Sequence, residues 1–280
     1  MTRESAPVGP QAQSPGLRTP RRGHAHSWIY PLLGIVLPLL LWEALVYTLS
    51  IPEYLLPSPS KTVLAAMTPE RIVFLWPHML STATVVVMGF VVACVAAILL
   101  AVGSLYWRGL ELALMPLLVG SQVVPKVAFA PLVVIWFGIG LSSKVVMVVL
   151  IAFFPVVLST LLGFRSVSPD HLLVVRSMGA TRLQELLRVR VPAALPQMFG
   201  GLKVAMTLSM IGAIVAEFVA SDDGLGHVLI MDQASIATLL VFTDLLWLIA
   251  VGFVLYGAVS VLERLVLGRR SRQLIESGAR

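Results

Sequence analysis

The sequence has few charged residues and almost no cysteine. Asp, Glu, Lys and Arg together make up 12% of the 280 residues, whereas hydrophobic residues make up 58%. A soluble domain of this length could not bury so much apolar surface, which excludes the ordinary soluble classes and favours a membrane protein. Cys94 is the single cysteine, so an intrachain disulfide is excluded.

The motifs of nucleotide-binding and metal-dependent enzymes are also absent. The sequence contains no G-x-x-x-x-G-K-[ST] loop, no H-E-x-x-H pair and no pair of cysteines, and its five histidines are scattered. We therefore predict no catalytic residue, no metal ion and no cofactor in this chain, and a protein that is not an enzyme. The net charge of +6 does not indicate nucleic acid, because the cations lie in the breaks between apolar runs.

What the sequence does have is apolar runs of membrane-spanning length. The prediction is an all-α polytopic membrane protein with six transmembrane helices and with both termini in the cytoplasm. The runs lie at about 28–49, 78–103, 111–141, 145–164, 201–220 and 239–262. Residues 1–27 are predicted to be a disordered cytoplasmic tail, residues 28–265 the transmembrane domain and residues 266–280 a second cytoplasmic tail. Ser60 is expected to cap a short helix over about 61–67.

The run at 111–141 has two interpretations. It is too long for one straight crossing and is interrupted by prolines, so it is either one broken crossing or a hairpin of two short helices. One crossing is preferred, because it places the arginine-rich segment 165–190 on the same side as both tails. The positive-inside rule makes that side the cytoplasm. The segments expected outside carry only Lys61, Arg71 and Lys144.

The stretch at 170–197 is the one long polar interruption between the apolar runs. It predicts two short helices, about 171–178 and 181–189, hinged at Gly179-Ala180, with Thr181 as the N-cap of the second. Two prolines are expected to stop or kink the chain after the second helix. They are Pro192 and Pro196. Helical periodicity places three leucines on one face of that helix and three charged residues elsewhere. The leucines are Leu183, Leu186 and Leu187, and the charged residues are Arg182, Glu185 and Arg188.

This stretch resembles the cytoplasmic loop of bacterial ABC-importer permeases. That loop has the pattern E-A-A, three residues, Gly, nine residues, I-x-L-P. Gly179 and Val189-Arg190-Val191-Pro192 match it with the full spacing, whereas Leu173-Val174-Val175 occupies the E-A-A positions. The resemblance covers about residues 30–265, and it extends to permeases of the nitrate, sulfonate and taurine group. Segments that carry it are Leu56-Pro57-Ser58-Pro59-Ser60, 124–131, 135–140 and Ala216-Glu217-Phe218-Val219.

The resemblance implies a type I importer-like permease in the bacterial cytoplasmic membrane. Two copies of the chain would line one path, and two ATP-binding subunits, which carry ATP and Mg²⁺, would dock beneath. A periplasmic or lipid-anchored solute-binding protein would deliver the solute. The alternative interpretation of the loop is a basic segment that is merely solvated. The predicted docking residues are Leu173, Val174, Val175, Arg176, Gly179, Ala180, Arg182, Leu183, Leu186, Leu187 and Pro192.

Three polar residues within the apolar runs are candidates for the translocation path, because charge inside a membrane is costly. They are Lys126, Gln122 and Glu217. Lys126 would attract an anion such as a sulfonate, taurine or nitrate. A thiamine-pyrimidine or other small organic solute is the alternative, and a buried pairing of Lys126 with Glu217 is a non-transport role. Glu217 and Asp244 are also consistent with positions at the membrane interface. An ion-coupled secondary transporter is the rival class, but no internal repeat is evident.

Overall fold

The fold is described from a computed structural model, which covers residues 29–219 and 221–278. Within these residues the chain is helical, with short connecting turns. The α-helices are α1 (Ile29–Thr48), α2 (Pro59–Ala66), α3 (Pro69–Tyr106), α4 (Arg108–Val123), α5 (Ala130–Phe137), α6 (Leu141–Arg165), α7 (Pro169–Ser177), α8 (Arg182–Glu185), α9 (Val191–Val219), α10 (Leu225–Ala234) and α11 (Thr238–Gly278). A 3₁₀ turn (Lys126–Phe129) precedes α5, and a π-helical turn (Leu186–Arg190) joins α8 to α9. The predicted tail at 1–27 lies outside the described residues.

Among the residues that the structure describes, four helical segments are long and apolar enough to cross a membrane. They are Pro69–Tyr106, Leu141–Arg165, Arg182–Val219 and Thr238–Gly268. Two further apolar helical segments are shorter, Leu33–Thr48 and Lys126–Phe137. The all-helical membrane fold is thus present, and the count of six spans remains a prediction. Residues 266–278 continue α11, so no break in secondary structure separates the predicted second tail.

The core is formed where α3, α6 and α9 pack closely against one another. Small residues at the crossings permit this approach. A Cβ at Gly201 of α9 would lie 1.7 Å from Ser159 Oγ of α6, and a Cβ at Gly89 of α3 would lie 2.4 Å from Val148 Cβ. These three helices therefore form a fixed frame to which the other elements attach.

The segment from α4 to α5 follows α6 from its carboxyl end towards its amino end. Leu118 of α4 belongs to the same apolar cluster as Leu161 and Phe164, near the end of α6. Ala130 and Val133 of α5 belong to a cluster with Met147, near the start of α6. This order is the one expected of one broken crossing, and it does not resemble a hairpin.

The start of α2 differs from the prediction. Ser58, not Ser60, is the N-cap residue, and its side chain accepts a hydrogen bond from the Lys61 backbone N–H. Ser60 instead donates its backbone N–H and its hydroxyl to the Glu43 carboxylate, at 3.0 and 2.6 Å. Glu43 therefore ties α1 to the first turn of α2, where the helix dipole favours a negative charge.

Candidate functional site

The polar stretch forms two short helices that meet at a glycine. Ser168 caps α7 by accepting a hydrogen bond from the His171 backbone N–H. Gly179 has φ +79°, a left-handed conformation that ends α7 at no steric cost for glycine. Thr181 and Gln184 then form a reciprocal capping box that starts α8. The predicted hinge at Gly179-Ala180 and the predicted cap at Thr181 are confirmed.

The chain was predicted to stop or kink at the prolines, and the first of these alternatives is wrong. The helix runs without interruption from Arg182 to Val219 and includes both Pro192 and Pro196. The hydrogen-bond spacing widens just before the first proline, where the Val191 backbone N–H donates to the Leu186 carbonyl. A π turn of this kind inserts one extra residue into a helix. The short helix of the loop is therefore joined directly to a spanning helix.

The leucines predicted to share one face of the second helix are divided between core and surface. Leu186 is 7% exposed and packs in the core with Phe164, whereas Leu183 and Leu187 are 60% and 57% exposed. The prediction of one docking face that includes Leu186 is therefore wrong. The exposed apolar side chains of the loop define what we call the loop surface. They are Leu173, Val174, Met178, Leu183 and Leu187.

The remaining predicted docking residues lie around this surface. Val175 is half-buried within α7, and Ala180 is half-buried at the hinge. Arg182 is exposed in the first turn of α8. Met178 is the most exposed of the apolar loop residues, at 82%, and it is absent from the predicted docking residues although it ends the first predicted helix. The sequence signal for its exposure was its position directly before Gly179, where the first helix ends.

Glu185 is buried at the centre of an ion-pair cluster that the sequence did not reveal. Arg176 of α7 donates from Nε to Glu185 Oε2 at 2.8 Å and from Nη2 to Oε1 at 3.1 Å. Arg190 donates from Nε to Oε1 at 2.8 Å. The paired carboxylate holds the pKa of the Arg176 guanidinium above its usual range. Arg176 is thus occupied within the chain, although it was predicted to contact a partner.

A cavity of about 600 Å³ lies between the end of α3 and this cluster. Its lining is largely polar and includes Tyr106, Arg176, Arg182, Glu185 and Arg190. Because the end of α3 and the hinge share this cavity, the two belong to the same end of the helix bundle.

Lys126 lies at the break between α4 and α5, on an otherwise apolar and exposed face. Its Nζ is 4.9 Å from the centroid of the Phe154 ring, a cation–π distance. Val123 and Val127 beside it are exposed. Gln122 belongs to the last turn of α4, and its side chain is outside the described part of the structure.

Glu217 is enclosed at the other end of the bundle. Its side chain is 1% exposed, and its carboxylate accepts hydrogen bonds from Thr82 Oγ1 at 2.8 Å and from the Gly226 backbone N–H at 2.7 Å. A Cβ at Gly224 would lie 2.3 Å from that carboxylate. The predicted pairing of Glu217 with Lys126 is therefore wrong, whereas its predicted place on a path or at the membrane interface stays a prediction. Glu217 instead holds the start of α10.

Two further charged clusters connect the helices at this end. Asp244 is fully buried and accepts a hydrogen bond from Arg71 Nη2 at 2.5 Å, and its predicted position at the membrane interface stays a prediction. Asp232 of α10 accepts from the same guanidinium. Lys144 donates to Asp223, and this hydrogen bond is the main reason why the pKa of the Asp223 carboxyl lies below its ordinary value. No group of three or more possible metal ligands occurs among the residues that the structure describes.

Comparison with known proteins agrees with this arrangement. Residues 93–268 match the family described as binding-protein-dependent transport system inner membrane component. The chain is 36% identical to the riboflavin transport system permease protein of Chloroflexus aurantiacus, over 89% of this chain and 94% of that protein. It is 32% identical to the formylaminopyrimidine transport permease protein of Halalkalibacterium halodurans, over 89% of this chain and 99% of that protein. It is 30% identical to the taurine transport system permease protein of Escherichia coli, over 68% of this chain and 69% of that protein.

The family match covers both the loop and the helices that carry it, and two of these relatives match along nearly their whole length. The chain therefore belongs to the family of binding-protein-dependent transport system inner membrane components, as an ABC-importer permease, a multi-pass transport subunit of the bacterial inner membrane that is not itself an enzyme.

Proposed function

We propose that residues 165–198 form the docking site for the ATP-binding subunit of the importer. The observation that carries this proposal is the loop surface, where Leu183 and Leu187 are exposed on a capped helix. Apolar side chains on a polar loop gain free energy only when a partner covers them. ATP and Mg²⁺ bind to that partner in this proposal.

The connection of the loop to the bundle supports the same proposal. Because α8, the π turn and α9 form one helix from Arg182 to Val219, a displacement of the loop moves the spanning part directly. ATP-driven closure of the two ATP-binding subunits would then change the access of the path from one side of the membrane to the other.

We further propose six spans, cytoplasmic termini and a dimer of identical chains. The backbone between α4 and α5 leaves the α-helix at Val124, and Val123, Val124 and Val127 around the break are exposed. Irregular backbone at membrane depth is tolerated only against protein or water, because lipid offers no hydrogen bonds. A second copy that faces this break across a shared path would satisfy the requirement and would place Lys126 beside that path.

The proposed solute is a small molecule with a flat nitrogen-containing ring. The relatives that transport riboflavin and formylaminopyrimidine are more similar to this chain than the taurine relative, and both of their solutes contain a pyrimidine ring. A small anion such as a sulfonate, taurine or nitrate is the second candidate, because Lys126 places a cation on the proposed path. In either case a periplasmic or lipid-anchored solute-binding protein would deliver the solute.

Exchange of the two exposed leucines tests the docking proposal. In the double variant Leu183→Asp, Leu187→Asp, we expect the ATP-binding subunit to co-purify at least about tenfold less, which corresponds to about 1.4 kcal/mol of binding free energy. Leu55→Asp is the matched control, because Leu55 is similarly exposed but lies in the turn between α1 and α2. Undiminished co-purification with the double variant would contradict the proposal.

The solute proposal is tested by transport in proteoliposomes that contain the complete importer. Riboflavin and taurine serve as two probes, and the rate of ATP hydrolysis is measured with each. We expect riboflavin to stimulate hydrolysis and taurine to have no effect. Stimulation by taurine alone would replace the first candidate by the second.

A further inference from the structure

Helix α7 is held to the rest of the protein by little apolar contact. Leu172 is its only buried residue, although the helix has nine. Val175 is half-buried, and Leu173 and Val174 are exposed and belong to the loop surface. A helix that is attached by one buried leucine cannot transmit a displacement unless a second connection fixes its orientation.

The Glu185 cluster supplies that connection. Arg176 reaches from α7 across the Gly179 hinge and holds both carboxylate oxygens of Glu185. Arg190, on the π turn, binds the same carboxylate and donates from Nη1 to the Phe164 carbonyl near the end of α6, at 3.3 Å. The hydrogen bonds therefore form a continuous chain from α7 through α8 and the π turn to α6.

The geometry of this cluster makes it stiff. Two parallel N–H···O bonds from one guanidinium to one carboxylate fix the relative orientation of both groups. Glu185 is 5% exposed, so water does not readily replace its partners. The positive charge of two arginines around one carboxylate also opposes loss of the Glu185 charge.

We propose that Glu185 is a positioning residue for energy coupling, which makes the α7–α8 hinge move together with α6 and α9. The inference rests on the proposal that the loop docks onto the ATP-binding subunit. Glu185 does not touch that subunit or the solute. It determines whether a displacement of the docked loop reaches the spanning helices.

The test compares ATP hydrolysis with the response at the far end of the bundle. The complete complex is prepared with Cys94→Ala and Ile139→Cys, and position 139, which precedes α6, is labelled with a maleimide before and after trapping with Mg²⁺, ATP and vanadate. In Glu185→Gln we expect normal co-purification of the ATP-binding subunit and hydrolysis within about twofold of the parent, but an ATP-driven change in labelling that is at least about tenfold smaller.

Two further variants make the test specific. Arg176→Gln removes the link across the hinge but leaves the carboxylate paired with Arg190, so it should lose the response in the same way even if Glu185→Gln folds poorly. Glu70→Gln is the matched control, because Glu70 is an exposed acid in the first turn of α3, outside the docking loop, and it should respond normally.

A normal response in Arg176→Gln, or in a folded Glu185→Gln, would overturn the inference. Loss of the ATP-binding subunit from both of these variants would also overturn it, because the cluster would then maintain the docking surface itself. These results are distinguishable from failure of the proposed function. In that case the double variant of Leu183 and Leu187 would retain the ATP-binding subunit.

Discussion

At the scale of single residues, Thr82 has one of the most constrained side chains in α3. Its hydroxyl donates to the Glu217 carboxylate and accepts from the Leu225 backbone N–H at 2.8 Å. His78, one turn earlier, accepts from the Gly224 backbone N–H at 3.2 Å. Together with the bond from Gly226 to Glu217, these contacts satisfy the first backbone donors of α10, which a helix cannot satisfy internally.

We expect Thr82→Val to destabilise the protein by about 2 kcal/mol, because it leaves the Leu225 N–H and a Glu217 oxygen without a partner. Thermal unfolding of the purified protein in detergent measures this. Thr84→Val is the control, because Thr84 is exposed and its hydroxyl bonds only to the Leu80 carbonyl of its own helix. Equal stability of the two variants would contradict the role of Thr82.

The sequence identifies which residues are unusual but not what they contact. Glu217 and Lys126 both stand out as charges within apolar runs, yet the structure places them in different surroundings. Glu217 meets two glycines nearby in the chain, Gly224 and Gly226, whose lack of a side chain makes room for the carboxylate. Glu185 does not stand out, because its environment depends on how α7 folds back across the hinge.

At the scale of secondary structure elements, the π turn at Leu186–Arg190 determines the orientation of the loop surface. One extra residue in a helix rotates all preceding residues by about 100° relative to those that follow. The turn therefore sets the orientation of α8, with its exposed Leu183, relative to α9.

Deletion of Val189 from this turn should restore regular α-helical spacing and rotate the loop surface away from its partner. We expect the variant to remain folded in the membrane, while ATP hydrolysis no longer supports transport. The measurement is the ratio of solute imported to ATP hydrolysed in proteoliposomes, with Val189→Ala as the control of unchanged length. Normal coupling in the deletion variant would show that the π turn has no such role.

Local signals predicted helix starts better than helix ends. The cap predicted at Thr181 is confirmed, and Ser168 caps α7 in the same way, because each side chain accepts from a backbone N–H three residues later. Ser60 was mistaken for a cap because its actual partner, Glu43, lies on α1. The end predicted for the second helix, at about Val189, is wrong. The Val191 backbone N–H bonds to the Leu186 carbonyl in a π turn, and the helix continues through Pro192.

At the scale of the whole molecule, the Glu185 cluster at the hinge and the hydrogen-bonded Glu217 carboxylate lie at opposite ends of the bundle. The contacts of α6 show this. Arg190 donates to the Phe164 carbonyl near the carboxyl end of α6, whereas Lys144 near its amino end donates to the Asp223 carbonyl. Composition was sufficient to predict a membrane fold, but in the described part of the chain only four helices are long and apolar enough to cross a membrane. The segment 108–137 is not among the four because α4 and α5 are separate helices, with 16 and 8 residues.

Cysteine labelling of intact cells tests the proposed topology. In a Cys94→Ala background, we expect Ile139→Cys to react with a membrane-impermeant maleimide from outside, and Met178→Cys to react only after the cells are opened. Both positions are exposed, so accessibility depends on the side of the membrane. The reverse pattern, with Met178→Cys reacting from outside and Ile139→Cys reacting only in opened cells, would mean that the segment 108–137 does not cross once.

The uninterrupted helix from Arg182 to Val219 has a mechanical consequence. Its 38 residues span about 57 Å, roughly twice the thickness of the hydrocarbon core. If it pivots as a rigid rod about one end, a tilt of about 5° shifts the other end by about 5 Å, close to the rise of one helical turn. A displacement of about 5 Å at the docked end therefore requires the whole rod to tilt by only about 5°.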